Sequence, residues 1–312
     1  MRVQPGELVA LQIYDGFDGQ FTRESTHGDV LSADLTRSHP LSGPIWVEGA
    51  ELGDIVEIEL AGFEVEPFGV TAIIPRVGLL SEHFPEPYLL KWEIADGYAR
   101  SDDLPGVAVP SAPFAGVIGV APSRALLEEW HRREGSSGDS VITIPPRENG
   151  GNIDIPQLTA GSQLCLPVLQ PGALVSVGDL HFAQGEGELC GTAIEVAGTA
   201  SLRFGLVKQP EWLPVSPVYS SPARPGRPTF ATTGMSIGSD VHDVYRAAQN
   251  AVLDMIEYLT RRHGLRREAA YALAGATVDL RVSELVNAPH CLVSALLPLD
   301  VFERQPDRHF HA

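Results

Sequence analysis

Cysteine is nearly missing from this 312-residue chain, which carries only Cys165, Cys190 and Cys291 and no CxxC spacing. An odd, scattered set of thiols excludes a disulfide framework and a thiolate zinc knuckle, and it fits a reducing compartment. Lysine is scarcer still: Lys91 and Lys208 are the only two, which limits any mechanism built on a catalytic amine. Basic charge is short overall, with 22 Lys and Arg against 40 Asp and Glu for a net charge of −18. A phosphate backbone or an anionic membrane is therefore repelled on average, and no nucleic-acid or membrane partner is expected. Long apolar runs are absent as well, and Met1 to Ala10 lacks the charged-then-apolar pattern of a signal peptide. The expected setting is the cytoplasm.

What the chain does have is glycine and proline, 31 and 25 residues in roughly even spread, with enough apolar residues (44%) to build a folded core. That combination predicts many tight turns joining short strands. Glu7 to Ile13, Ile45 to Glu48, Ile55 to Leu60, Tyr88 to Ile94 and Ala193 to Val207 alternate or run apolar as strands do. In IVEIEL, Val56, Ile58 and Leu60 point one way and Glu57 and Glu59 the other, the pattern of a half-buried antiparallel strand. Phe63 to Pro75 reads as further short extended pieces. Arg124 to Arg133 is helix-compatible, with Ser123 as its N-cap.

The expected fold is mainly β: a sandwich or barrel body of short antiparallel strands over residues 1–208, with a smaller C-terminal α+β portion over 209–312. The boundary is drawn at Pro210 to Pro228, which carries six prolines. Beyond it Val244, Ala248, Ala251, Met255 and Leu259 recur at helical spacing, predicting a helix over 240–263 that Asp240 would cap. A second helix is expected over 267–274, and strands over Ala276 to Val286 and Leu292 to Leu297.

Chemistry concentrates between Gly150 and Glu195. Asp179 and His181 are two apart, so on a strand both lean to one face and can hold a divalent metal; with no cysteine cluster, zinc or a similar borderline ion suits them. The competing reading is an Asp closing a turn and a histidine satisfied in the core. Gly185-Glu186-Gly187-Glu188 follows closely, and adjacent acids are costly to place together unless a cation or solvent compensates them. Asn152 and Asp154 alternate on one face after Gly151, whose bare backbone lets a small ligand approach; a turn leading into an edge strand accounts for them equally. Asp15 follows the first strand in a glycine-flanked turn, where it is either a ligand or a turn former alongside Asp18. Glu188 or Glu195, if buried, can act as general base.

Two hydrolase patterns are set aside. Gly234-Met235-Ser236-Ile237-Gly238 matches G-x-S-x-G, but a nucleophile elbow needs an alternating βα sheet and the preceding strands lack intervening helices. A Cys-Glu-Lys amidase would have to use Lys91 or Lys208, and no αββα pattern surrounds either.

The runs from His39 to Ala50 (HPLSGPIWVEGA) with Gly53-Asp54, Ala112 to Pro122 (APFAGVIGVAP), Gly150 to Asp154 (GGNID) and Pro171 to Glu188 (PGALVSVGDLHFAQGEGE) resemble the acetamidase/formamidase family. The likeness continues through Cys190 to Glu195, Asp243 to Leu259, Ala270 to Leu273 and Asp279 to Arg281, so it covers essentially the whole chain. It implies hydrolysis of short aliphatic amides, such as formamide or acetamide, to the carboxylate and ammonia. It also implies a β-rich fold, a homo-oligomer (a dimer in the first instance) and metal dependence. Asp15, Asn152, Asp154, Asp179, His181 and Glu188 fall on its motif positions, and Glu195 ends the same block. One departure is Glu186, where the family pattern has Asp.

From these residues the expected machinery is a divalent metal, zinc by donor type, held by Asp15, Asp179 and His181, which activates water. Glu188 or Glu195 would carry the proton, Asn152 would orient the amide, and Asp154 with Gly151 would line the substrate pocket. A second reading keeps the scaffold but not the catalysis: a small-amide or metal-binding protein, favoured if Glu186 spoils the site.

Overall fold

The computed structural model describes residues 1–222, 228–237, 242–265, 267, 270, 274, 278–299 and 302. Among these the chain is mainly β, as its glycine- and proline-punctuated alternation predicts. The strands in the first half are β1 (Arg2–Val3), β2 (Leu8–Ile13), β3 (Leu41–Val47), β4 (Ile55–Ile73), β5 (Tyr88–Ala95), β6 (Tyr98–Arg100), β7 (Val109–Pro110) and β8 (Phe114–Gly119). Helix α1 (Arg124–Glu134) follows, then β9 (Gly150–Asn152), β10 (Ser162–Pro167), β11 (Val175–His181), β12 (Glu195–Val207), β13 (Val218–Ser221) and β14 (Thr229–Met235). Helix α2 (Val244–His263), β15 (Asp279–Glu284) and β16 (Leu292–Pro298) complete it.

The strands pair into one continuous sheet whose path runs β1-β3-β11-β12-β4-β10-β13-β14-β16-β15, with β2 on β12, β5 on β4 and β8 on β11 as branches. Its spine is β4 against β12. The region from Phe63 onward is not a set of short pieces: β4 continues unbroken to Ile73, because irregularities opposite Ser201/Leu202 and Val196/Gly198 absorb the breaks in its alternation. The proline-rich connector is bridged by the same sheet. β13 lies inside it and pairs with β10 on one side and β14 on the other.

The main core fills the inner face with Val56, Ile58, Leu60, Leu164, Leu166, Val177, Leu180 and Phe204. Helix α1 starts where expected, the Ser123 hydroxyl accepting from the Leu126 amide, and Gly135 ends it in the left-handed conformation. Helix α2 begins at Val244, capped by Asp243, and ends at Gly264; the cap expected at Asp240 lies outside the described residues. Ala247, Ala251, Met255 and Leu259 turn to the sheet, forming a second core with Val218, Phe230 and Val293. A side chain at Gly234 of β14 would meet the backbone of this helix at 2.2 Å, so glycine there permits the close approach. Of the second helix expected over 267–274, only Arg267, Ala270 and Ala274 are described, each helical. No helix among the described residues is long and apolar enough to cross a membrane.

Candidate metal and active site

Strand β11 ends in Asp179-Leu180-His181, and the sheet brings three more acids to the same point. Glu195, the first residue of β12, is paired directly with His181. Asp154 follows β9, and Glu188 sits in the loop between β11 and β12. All five side chains are buried, His181 completely. His181 Nε2 lies 3.2 Å from Asp179 Oδ1 and 3.4 Å from Glu195 Oε1. On the other side of the ring, Nδ1 lies 3.8 Å from Asp154 Oδ1. Two sets of three among these residues, Asp179/His181/Glu195 and Asp154/His181/Glu188, each have their ligand atoms within 4.8 Å of one another.

The geometry is made by a local break in the sheet. β11 and β8 pair in register on both sides of Asp179, from Gly178 with Val117 to Leu180 with Ala115, but Asp179 and Gly116 skip their turn. Asp179 takes a positive φ of 56° there, and Asp154 and Glu188 do the same at 44° and 46°, a region Asp tolerates better than most residues. The Gly116 carbonyl, freed from the ladder, accepts the amides of Ile153 and Asp154 at 3.0 and 3.2 Å, which fixes Asp154 opposite the histidine. Gly116 has no room for a side chain. A Cβ on it would lie 2.6 Å from both Asp154 Oδ1 and Asp179 Oδ2, and 2.8 Å from His181 Cε1.

One tautomer of His181 follows from its neighbours. Gln184 Nε2 donates to the carbonyl of Asp154 at 3.2 Å, so its Oε1 faces His181 Nδ1 at 2.9 Å and must accept from it. With Nδ1 carrying that proton, Nε2 is the nitrogen free to ligate, and it points at Asp179 and Glu195. Among the described residues His181 Nε2, Asp154 Oδ1 and Asn152 Oδ1 are buried without a hydrogen-bond partner.

The charges cannot all stand unassisted. Burial, reinforced by the neighbouring acids, raises the carboxyls of Asp154 and Glu188 well above the ordinary carboxylate range, and burial raises Glu195. Burial also pushes Asp179 upward, but His181 and His39 outweigh it and hold this acid well below its usual range. Burial depresses His181, but Glu195 and Asp179 more than offset that and raise it. Four carboxylates around one imidazole, with orphaned donor atoms on both sides of the ring, fit a divalent cation.

The other sequence candidates are placed as follows. Asn152 is buried beside the cluster, its amide donating to the Ile144 carbonyl at 3.1 Å. Asp15 is near enough to Asp179 for the two charges to interact. Its Oδ1 accepts the amides of Phe17 and Gly19 at 2.7 and 3.2 Å, the turn-forming alternative, and it belongs to neither metal-capable set among the described residues. Gly151 pairs with Ile118 on β9 and lies outside the cavity wall; its φ of 85° shapes the turn into Asn152. Glu186 reaches away, pairing with Arg281 and accepting from Gln157. Ser236 of the G-x-S-x-G match is fully buried and accepts the Cys291 amide, while Gly238 lies outside the described residues.

Sequence reasoning assigned no role to His39, Gln184, Glu284 or Asn287. His39 Nε2 stands 4.0 Å from Asp179 Oδ2, and Asn287 donates to Asp154 Oδ2 at 2.9 Å. Glu284 Oε1 accepts the amides of Val286 and Asn287, holding the loop that carries this asparagine, while Oε2 is buried without a partner. Position in the HPLSGP run was the available signal for His39; the others reach the site from loops and strand ends that periodicity does not mark.

Burial pushes the Glu284 carboxyl up to about 8. The folded state therefore holds this proton more tightly than the unfolded chain, so the stabilisation is complete below about pH 4.5 and is lost as pH rises through about 8. Metal-free protein should melt at progressively lower temperature between pH 5 and 8, and Glu284→Gln should flatten that slope by up to several kcal/mol. Thermal unfolding of both proteins across this range in chelator checks it; equal slopes would show that the proton is not held there.

The cluster forms the floor of a cavity of about 760 Å³ that Asn152, Asp154, Asp179, Glu188 and Glu195 share with apolar side chains. The acetamidase/formamidase family model matches the chain over residues 1–140 and 136–304. A formamidase of Methylophilus methylotrophus is 33% identical, aligned over 96% of this chain and 86% of its own length. An acetamidase of Mycolicibacterium smegmatis is 32% identical over 88% and 82%. Among solved structures, an acetamidase from Bacillus halodurans superposes with a TM-score of 0.82 at 30% identity, covering 97% of this chain and 92% of that one. With the family model spanning nearly every residue and a buried acid–histidine cluster at the floor of its cavity, this chain belongs to the acetamidase/formamidase family.

Proposed function

We propose that this chain hydrolyses short aliphatic amides of the formamide and acetamide type to the carboxylate and ammonia, using the cluster around His181. The observation that carries the reading is that cluster itself: four buried carboxylates about one imidazole whose free nitrogen has no hydrogen-bond partner. Asp179, Nε2 of His181 and Glu195 would hold a divalent ion, zinc by donor type, which when bound would supply Lewis acidity and lower the pKa of water. Glu195 thus takes the ligand place first given to Asp15, whose carboxylate is engaged in its own turn.

Glu188, buried at the cavity beside Asp154 and His181, takes a proton from the attacking water and returns it to the departing nitrogen. Asn152 spends its amide group on Ile144, which leaves Oδ1 to accept an N–H of the substrate and turn the carbonyl carbon toward the water. Asp154, tied through one oxygen to Asn287, keeps the other directed into the same space. The working form in this reading is a homodimer in the reducing cytoplasm, consistent with three free cysteines.

The test is ammonia release from formamide, acetamide and propionamide before and after chelation. Turnover that disappears with the metal and returns on adding zinc is expected; turnover that survives exhaustive chelation would overturn the metal-assisted route. Glu188→Gln is expected to lower kcat by about 10²- to 10⁴-fold while metal content stays near one equivalent of the parent's. Loss of metal in that variant would instead make Glu188 a ligand.

A further inference from the structure

The cavity is far larger than the type substrates require. Formamide and acetamide are fragments, whereas about 760 Å³ lies well inside the range of roughly 300–1,000 Å³ that encloses drug-sized ligands. Its chemistry is also divided. Polar groups line it at the buried cluster and also at His39, Arg76, His242 and Asn287, while Phe17, Leu35, Ile74, Ile144, Leu285 and Val286 supply the apolar wall. At the mouth Leu79 is about half exposed, its amide bonded to the carbonyl of Leu189, which is itself exposed. An amide group anchored at Asn152 and the acids would leave these walls uncovered unless the acyl group reached them.

We propose that the preferred substrates are primary amides with an apolar acyl group of several carbons, longer than acetamide, whose chain lies along the wall formed by Ile74, Ile144 and Leu285. This rests on the amidase reading above and names its substrate class. Each methylene moved from water to an apolar wall raises kcat/KM by up to about fourfold. The gain ends where the chain leaves the mouth at Leu79.

The experiment is a steady-state ammonia assay on the metal-replete protein with formamide, acetamide, butyramide and hexanamide. A rise in kcat/KM of about tenfold or more from acetamide to hexanamide is expected. Leu79→Trp, a change at a half-exposed position that folding tolerates, should lower the hexanamide-to-acetamide ratio severalfold, and Leu285→Phe in the wall itself should do the same. A steady fall beyond acetamide, with acetamide still turned over, overturns this proposal and leaves the amidase reading standing. Unchanged ratios in both folded variants also overturn it. Absence of ammonia from every amide sinks the amidase reading and this inference with it.

Discussion

His181→Ala is expected to lose tightly bound metal and at least about a thousandfold of kcat/KM for acetamide, while the protein remains folded. The size follows from what the ring does. Its Nε2 is the only nitrogen in the set with Asp179 and Glu195, so removing it leaves two carboxylates, a weaker and less selective donor pair for a borderline ion. Several kcal/mol of charge stabilisation at the carbonyl oxygen goes with the ion. The fold should persist because the sheet around the ring rests on Leu180, Phe114, Val177 and their neighbours, and because acids already held above their usual range can protonate when their counter-charge is removed. Elemental analysis, circular dichroism and the amide assay on one preparation decide the matter. Full turnover with normal metal would exclude His181 as a ligand.

The second large effect is expected from one methyl group. Gly116→Ala should reduce activity by about two orders of magnitude or more with little change in stability. Its Cβ would fall 2.6 Å from an oxygen of Asp154 and an oxygen of Asp179. Those oxygens are the ends of side chains and can swing aside, while the buried His181 ring, 2.8 Å away at Cε1, must shift by a few tenths of an ångström for the protein to fold. Once displaced, however, they no longer converge on the space beside His181, and a misplacement of about 1 Å costs roughly a hundredfold in a preorganised site. Gly116 has no positive φ to forbid a side chain, so a chemical melt near the parent's with activity lost is the expected pair of results. Retained activity would mean that the two carboxylates need not meet at this point.

The β-rich body, the helix after Ser123 and most strand positions were legible because hydrophobic alternation and capping chemistry are local. The length of β4 was not, since its continuity depends on bulges compensated in β12, well over a hundred residues away. The site divides along the same line. Asp179 and His181 announce themselves by spacing along one strand. Asp154, Glu188 and Glu195 were named from their glycine-rich setting, but which of them meets the imidazole depends on the pairing of β11 with β8 and β12. For Asp15, turn chemistry and ligand chemistry look alike in sequence; the structure shows its Oδ1 accepting the amides of Phe17 and Gly19. Asn287 comes from a loop beyond β15, and its contact with Asp154 crosses 133 positions.

The missed pairing between Asp179 and Gly116 makes the site a dislocation in an otherwise regular lattice. Substitutions that favour regular strand at this register, such as a β-branched residue in place of Asp179, whose φ of 56° such residues disfavour, would tend to close it, gaining ladder order while erasing the catalytic space. Selection for stability alone would therefore drive this chain toward an inert sheet, and its activity depends on keeping the flaw unrepaired.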